Sequence, residues 1–119
     1  MDSKHRLKKR EEYDWVLDKG ISCAARLAVL KIKANSLGIS RYGIITSKKV
    51  GGAVQRNKVK RRLREILRGV EVVPGWDIVV IARSGARGTG FDELKMAVTG
   101  LLSRGRVMQK DEKSDAGAD

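Results

Sequence analysis

The densest group of side chains able to do chemistry is a run of cations in the middle of this 119-residue sequence. Between Lys48 and Arg68 there are nine lysines and arginines and one acidic residue, Glu65. The cations are Lys48, Lys49, Arg56, Lys58, Lys60, Arg61, Arg62, Arg64 and Arg68. Guanidinium groups bind phosphate oxygens through paired hydrogen bonds, and ammonium groups bind them as point charges. The segment therefore indicates a partner rich in phosphates.

The overall composition favours the same kind of partner and argues against several kinds of enzyme. The formal net charge of +12 indicates nucleic acid or another polyanion. One cysteine, Cys23, and one histidine, His5, cannot supply a four-ligand zinc site or, so near the terminus, a typical Ser-His-Asp triad. The lone cysteine fits a reducing cytoplasm. There is no membrane-spanning apolar run and no secretory pattern, so we expect a cytoplasmic protein.

A carboxylate group gives a second possibility. Glu11, Asp14 and Asp18 follow helical spacing and could hold Mg²⁺, which would make the chain a nuclease acting alone. The competing interpretation, which we favour, is ion pairing with neighbouring cations of the same helix. Those cations are Lys8, Arg10 and Lys19.

The cations must be held by a helix, which the pattern predicts over residues 54–69. Its apolar face consists of Val59, Leu63, Ile66, Leu67 and Val70. The opposite face presents Asn57, Arg61, Arg64 and Arg68, with Lys58 and Lys60 on the flanks. Asn57 is open to two interpretations, a hydrogen bond to RNA or a bond to a cap or loop. Lys48 and Lys49 are expected to end a strand and to point to opposite sides of the sheet.

Other elements follow from periodicity and turn residues. A helix over 11–19 should end at Gly20 in a left-handed conformation. Strands over 26–34 and 41–47 should form a hairpin. The apolar run 76–82 predicts a buried strand, so that a βαβ unit lies within a mixed sheet.

The C-terminal part should hold a last helix. Thr89 is expected to cap it, and Phe91, Leu94, Val98 and Leu101 are expected to line its buried face. Residues 1–109 then form a single domain. Residues 110–119 are acidic and lack large apolar side chains, which predicts a disordered tail.

The segment from Ser47 to Glu65 resembles the signature of the bacterial ribonuclease P protein subunit. The matching pieces are Ser47-Lys48-Lys49, Ala53-Val54, Arg56-Asn57-Lys58 and Lys60-Arg61. Outside it, Arg6-Leu7-Lys8 with Tyr13, and residues 74–83, are similar to the family's flanking patterns, so that the resemblance extends over residues 5–104. It implies an α+β two-layer sandwich of αβββαβα order, a fold also found in a ribosomal protein domain. It further implies a left-handed βαβ crossover, whereas right-handed crossovers are the general rule.

The resemblance implies a small protein partner of a large catalytic RNA. Together they would cleave the 5′ leader from precursor tRNA, with the chemistry done by the RNA and by Mg²⁺ bound mainly to it. The protein would then hold no catalytic residue and no metal ligand, and no obligate protein partner is indicated. The side chains implied to bind the catalytic RNA are Lys48, Lys49, Arg56, Asn57, Lys58, Lys60, Arg61, Arg64 and Arg68.

The family's leader-binding cleft lies between the first helix and the sheet. The residues implied to bind the leader here are Arg6, Lys8, Tyr13, Leu17 and Lys31. Two of them depart from the family pattern, because Leu17 and Lys31 stand where aromatic residues are common. Tyr13 is equally well explained as a core residue. The alternative function is a ribosomal or regulatory RNA-binding module without a catalytic partner, and it would use the same cations.

Overall fold

The computed structural model describes residues 3–105. Its elements are α1 (Arg10–Lys19), β1 (Ile21–Ala24), β2 (Ala28–Ala34), β3 (Arg41–Thr46), α2 (Ala53–Arg68), β4 (Trp76–Ala82) and α3 (Phe91–Arg104). This is the expected αβββαβα order of an α+β fold. Within the described range no helix has the length and apolar character needed to cross a membrane. The predicted tail, 110–119, lies outside the described residues.

The four strands form one mixed sheet in the order β1-β2-β4-β3. β4 runs antiparallel to β2 and parallel to β3, so the predicted βαβ unit is confirmed as β3-α2-β4. The predicted hairpin between 26–34 and 41–47 is wrong, because β4 lies between those two strands. The physical reason is that β4 carries apolar side chains toward both faces, as a central strand does. The hairpin of this sheet joins β1 to β2 instead.

Helices α2 and α3 pack on one face of the sheet, where Leu63 and Val98 join Leu30, Ile78 and Val80 in the main core. Helix α1 lies against the other face, where Val16 packs with Leu7 and Val79. The two-layer sandwich therefore has a partial third layer. Because α1 is only ten residues long, part of that second face stays uncovered.

The predicted α2 pattern is confirmed. Val59, Leu63, Ile66 and Leu67 are buried and Val70 is half-buried. Four buried aliphatic side chains anchor the helix, at about 1.5–3 kcal/mol each. The polar face of α2 is therefore held facing away from the sheet.

The end of α1 differs from expectation in its backbone. Gly20 has φ −79° and ψ 161°, which is extended and not left-handed. Glycine is required there for a different reason, close packing. A Cβ atom at position 20 would lie 2.8 Å from the carbonyl oxygen of Ile32 and would collide with that of Val16.

The start of α3 also differs from expectation. Gly90 occupies the N-cap position, whereas the Thr89 hydroxyl donates to the carbonyl oxygen of Gly85 at 2.7 Å. Thr89 thus stabilises the preceding turn and does not cap the helix. Leu94, Val98 and Leu101 are buried as predicted, but Phe91 is exposed, because its position in the first turn lies beyond the edge of the core.

Candidate nucleic-acid interface

The outer face of α2 presents its cations to solvent. Asn57, Lys58, Arg61, Arg64 and Arg68 are exposed, and Arg56 and Lys60 are partly buried. Arg68 forms a 3.0 Å ion pair with Glu65 on the same face. Within residues 3–105 the side chain of Asn57 has no hydrogen-bond partner, which favours its availability to a ligand over the predicted alternative of a cap. The face is an array of donors, on a helix anchored by its buried side, that is suited to phosphate oxygens.

Lys48 and Lys49 lie beside the start of α2, but not as predicted. β3 ends at Thr46, and Lys48–Val50 form a short 3-10 turn. The backbone N–H of Lys49 donates to Ser47 Oγ at 3.3 Å, which closes that turn. The expected strand alternation is therefore wrong for this pair. Both side chains are exposed near the N-terminus of α2.

The uncovered face of the sheet forms a cleft beside α1. The strand register places Val29, Ile81 and Ile45 in one row across β2, β4 and β3. All three are only half-buried, so the row forms an apolar floor that α1 does not cover. Tyr13 and Leu17 of α1 pack at its border. This groove, called the α1 cleft below, is the predicted place for a single strand.

Lys31 stands one register row from the floor of the α1 cleft. Its ammonium group donates to the carbonyl oxygen of Leu17 at 3.2 Å. The last carbonyls of a helix lack partners within the helix and carry partial negative charge, so a cation there is favourable. Lys31 therefore fixes the end of α1 and places a positive charge at the border of the cleft.

Tyr13 is half-buried against the sheet. Its ring lies over Gly43 of β3, and its hydroxyl donates to the carbonyl oxygen of Leu7 at 3.5 Å, a distance too long for a strong bond. Tyr13 is thus part of the packing of α1 and at the same time a wall of the surface beside it. The packing role of Tyr13 is therefore observed, and its role in stacking an RNA base stays a prediction.

The two predicted residue sets meet in one cavity of about 180 Å³ at the edge of β3. Arg6 and Tyr13 line it from the leader-binding set, and Lys60 and Arg64 line it from the catalytic-RNA set. Leu7, Tyr42, Gly43 and Ile44 complete the wall. Lys8 is exposed and does not line the cavity. The cavity joins the surface beside α1 to the cationic face of α2.

A polar network that the sequence patterns did not predict holds α1 on the sheet. The guanidinium of Arg41 donates to both carboxylate oxygens of Asp77, at 2.8 and 2.7 Å, and to Glu12 at 2.7 Å. Asn35 also donates to Asp77, at 2.8 Å. The Asp77 side chain is 1% exposed, and an ion buried this deeply is tolerated only when it is fully paired. The signal in the sequence was an aspartate inside the apolar run 76–82.

The same network sets the ionisation of Glu12. Hydrogen bonds from the backbone N–H groups of Lys9 and Lys8, with Arg41 nearby, hold the pKa of the Glu12 carboxyl below its ordinary value of 4.5. The bond and the charge of Asp77 raise the pKa of Arg41 further above its already high value. Both groups are therefore charged at neutral pH, and the α1–sheet contact is an ionic clamp.

Trp15 occupies the flank of α1 turned toward this clamp. The ammonium of Lys33 lies 5.2 Å from the centre of the Trp15 ring, within the range of a cation–π contact. The ring lines a separate cavity of about 460 Å³ that also includes Glu11, Leu37 and Arg41. Trp15 is therefore an exposed side chain and not a core residue.

The carboxylates Glu11, Asp14 and Asp18 do not form a metal centre. Among residues 3–105 no three histidine, cysteine, aspartate or glutamate side chains come together in a way that could hold a metal ion. Asp14 instead lies 4.0 Å from Arg10. The described residues therefore give no support to an independent nuclease built on this triplet.

Comparisons with known proteins give the family of this chain. The Ribonuclease P family model matches residues 1–106. The chain is 47% identical over 120 residues to the ribonuclease P protein component of Dehalococcoides mccartyi (strain ATCC BAA-2266 / KCTC 15142 / 195), with 100% of each chain covered. It also superposes on two solved structures. The RNase P protein of Staphylococcus aureus gives a TM-score of 0.80 at 32% identity, covering 88% of this chain and 98% of that one.

The second structure is the RNase P protein from Thermotoga maritima. Its TM-score is 0.75 at 34% identity, with 83% of this chain and 96% of that chain covered. The family model, the full-length relative and the two solved structures all indicate the same family. This chain belongs to the ribonuclease P protein family.

Proposed function

We propose that this chain binds the catalytic RNA of ribonuclease P and the 5′ leader of precursor tRNA, so that the RNA removes the leader. The chemistry then lies with the RNA and with Mg²⁺ bound mainly to it. The protein's own contribution is electrostatic and positional. Its place of action is the cytoplasm, which fits the single thiol of Cys23.

The face of α2 binds phosphates of the catalytic RNA, together with Lys48 and Lys49. The exposure of these cations and the buried anchors beneath them support this role. Each neutralised phosphate releases condensed counterions, which favours binding at low salt. The same neutralisation reduces repulsion between RNA strands and so lowers the Mg²⁺ concentration needed to bring them together.

The α1 cleft binds the leader. Its half-buried apolar floor and the ring of Tyr13 suit unpaired bases, which are commonly held by stacking. Lys31 at the border and Arg6 in the adjoining cavity contribute positive charge for the backbone. Lys8 lies nearby on the surface. Because Leu17 has no flat ring, stacking depends on Tyr13, and charge carries a larger share of the binding.

One observation carries this proposal: the cavity lined by Arg6, Tyr13, Lys60 and Arg64. A strand that lies in the α1 cleft reaches Lys60 and Arg64 of the α2 face at this cavity. The junction between leader and mature tRNA is then brought to the side of the protein that faces the catalytic RNA. A general RNA-binding module has no need for such a connection.

The test measures how strongly the protein–RNA complex binds precursor tRNA with and without the leader. Tyr13→Ala should weaken binding of the leader-bearing precursor by about fivefold or more, the value of one stacked base, and leave the mature tRNA nearly unaffected. Tyr13→Phe is the matched control and should behave like the wild type, because the hydroxyl bond is long. Equal losses for both tRNAs would contradict leader binding and favour the module without a catalytic partner.

A further inference from the structure

Phe91 is a large aromatic side chain on the surface at the start of α3. It is 36% exposed, although the other apolar residues of its predicted face are buried. It lines an open cavity of about 190 Å³ together with Arg61, Arg62 and Glu65 of α2. These four residues are called the Phe91 notch below. The notch lies on the border of the cationic α2 face, on the side of α3 and outside the α1 cleft.

Arg62 is held in place within the Phe91 notch. Its Nη1 donates to the carbonyl oxygen of Thr89 at 2.6 Å, and the Thr89 hydroxyl is bonded in turn to Gly85 at 2.7 Å. Thr89 is itself buried. The guanidinium therefore keeps one position beside the phenyl ring, and little side-chain entropy is lost when a ligand binds between them.

The charge of the notch favours an anionic partner. Arg61 and Arg62 contribute two positive charges, and the one negative charge, on Glu65, is offset by the 3.0 Å ion pair with Arg68. Arg61 is exposed and free to turn toward a phosphate. An aromatic face next to two guanidinium groups is suited to a nucleotide, whose base stacks and whose phosphate pairs with arginine.

We propose that the Phe91 notch binds one unpaired nucleotide of the catalytic RNA, with the base against Phe91 and Arg62 and the phosphate on Arg61. This inference rests on the proposed function, since it places the catalytic RNA on the α2 face. A base inside a duplex has both faces stacked on its neighbours, so only a bulged, looped or terminal nucleotide fits. The notch therefore recognises an unpaired nucleotide, whereas the rest of the α2 face recognises only the negative charge of the phosphates.

The experiment measures the affinity of the full-length protein for the catalytic RNA over a series of salt concentrations. Phe91→Ala should weaken binding by about fivefold or more, as for loss of one stacked base. The slope of affinity against salt should stay unchanged, because no phosphate contact is lost. Phe91→Leu keeps apolar bulk without a flat face and should lose affinity as well, whereas Phe91→Tyr should bind like the wild type. Met96→Ala, at another exposed position of α3, is the matched control.

Three outcomes are distinguishable when Arg61→Ala with Arg64→Ala is measured beside these variants. Loss of affinity in both Phe91→Ala and Phe91→Leu at an unchanged thermal midpoint supports the notch. Loss only in the double arginine variant overturns the notch and leaves the proposed function standing. No loss in any variant overturns the α2 interface itself. Dimethyl sulfate probing gives a second reading, since the wild-type protein should protect an unpaired base that Phe91→Leu leaves reactive, and equal protection would contradict the proposal.

Discussion

The ring of Tyr13 lies directly against the backbone of Gly43, with no room for a side chain between them. A Cβ atom at position 43 would stand 2.7 Å from Cζ of Tyr13 and 2.9 Å from its hydroxyl oxygen. Real Cβ atoms do not approach other heavy atoms so closely. The contact joins α1 to β3 and fixes the ring at the cavity shared with Lys60 and Arg64. Glycine is therefore required at position 43 by the packing of the Tyr13 ring against β3, and not by the backbone conformation.

Gly43→Ala should displace the Tyr13 ring and reduce the preference of the protein–RNA complex for leader-bearing precursor over mature tRNA. Affinity for the catalytic RNA should change little, because the α2 face is not altered. Binding titrations with the two tRNAs and with the catalytic RNA alone measure these quantities. Gly100→Ala is the matched control, since nothing lies within 4 Å of a Cβ atom there. That variant should gain about 0.5–1 kcal/mol in stability. An unchanged preference in Gly43→Ala would contradict the placement of Tyr13 beside the leader.

Arg61→Ala combined with Arg64→Ala should weaken binding to the catalytic RNA and flatten its salt dependence. Each lost phosphate contact reduces the slope of log affinity against log salt by about 0.7–0.9. Filter binding at several salt concentrations measures the slope. As a control, Lys19→Ala removes one exposed cation at the end of α1. This variant should leave the slope of log affinity against log salt unchanged. A slope in the double variant equal to the wild-type slope would place both arginines in solvent in the complex.

Glu12 should make the fold sensitive to acid. Its pKa is lowered in the folded protein, chiefly by the backbone N–H groups of Lys9 and Lys8. A lowered carboxyl pKa contributes stability that is fully present above the unfolded value, near 4.5, and is lost as pH falls through the folded value. Glu12→Gln keeps an acceptor oxygen but cannot ionise. The difference in unfolding free energy between wild type and Glu12→Gln should thus be largest at neutral pH and shrink below pH 4.5.

Denaturant unfolding at neutral and at acidic pH measures that difference. Glu11→Gln alters an exposed carboxylate of the same helical turn and serves as the control, with a smaller effect on stability at neutral pH expected. A difference in unfolding free energy between wild type and Glu12→Gln that does not depend on pH would contradict this prediction. It would show that Glu12 stabilises the contact with Arg41 through packing and not through its charge.

The local parts of this fold could be predicted from the sequence, because their causes are local. Five apolar positions at helical spacing predict α2, and a continuous apolar run predicts β4. The pairing of β2 with β4 could not be predicted in this way, since it joins residues more than 40 positions apart in the chain. Turn signals between neighbouring strands suggested a hairpin, and the burial of β4 on both faces overrode them.

The same distinction between local and long-range causes applies to the candidate site. The cations of α2 were predictable because helical spacing alone puts them on one face. The clamp of Arg41 with Asp77 and Glu12 was not, because it requires three elements to be placed correctly first. The predicted burial of Phe91 is wrong because periodicity shows which side of α3 faces the core. Periodicity does not show how far the core extends along the helix. The resemblance to the family, and not the periodicity, indicated the α1 cleft.

Cleavage of a precursor tRNA at low millimolar Mg²⁺ tests whether this chain acts with a catalytic RNA. The reaction is compared for the protein alone, a bacterial ribonuclease P RNA alone and the two mixed. We predict cleavage at the mature 5′ end in the mixture, little with the RNA alone at this Mg²⁺ concentration and none with the protein alone. No gain in cleavage on adding the protein would contradict the proposed function and leave an RNA-binding domain with another target. Cleavage by the protein alone would contradict it more strongly, since the chemistry would then lie in this chain.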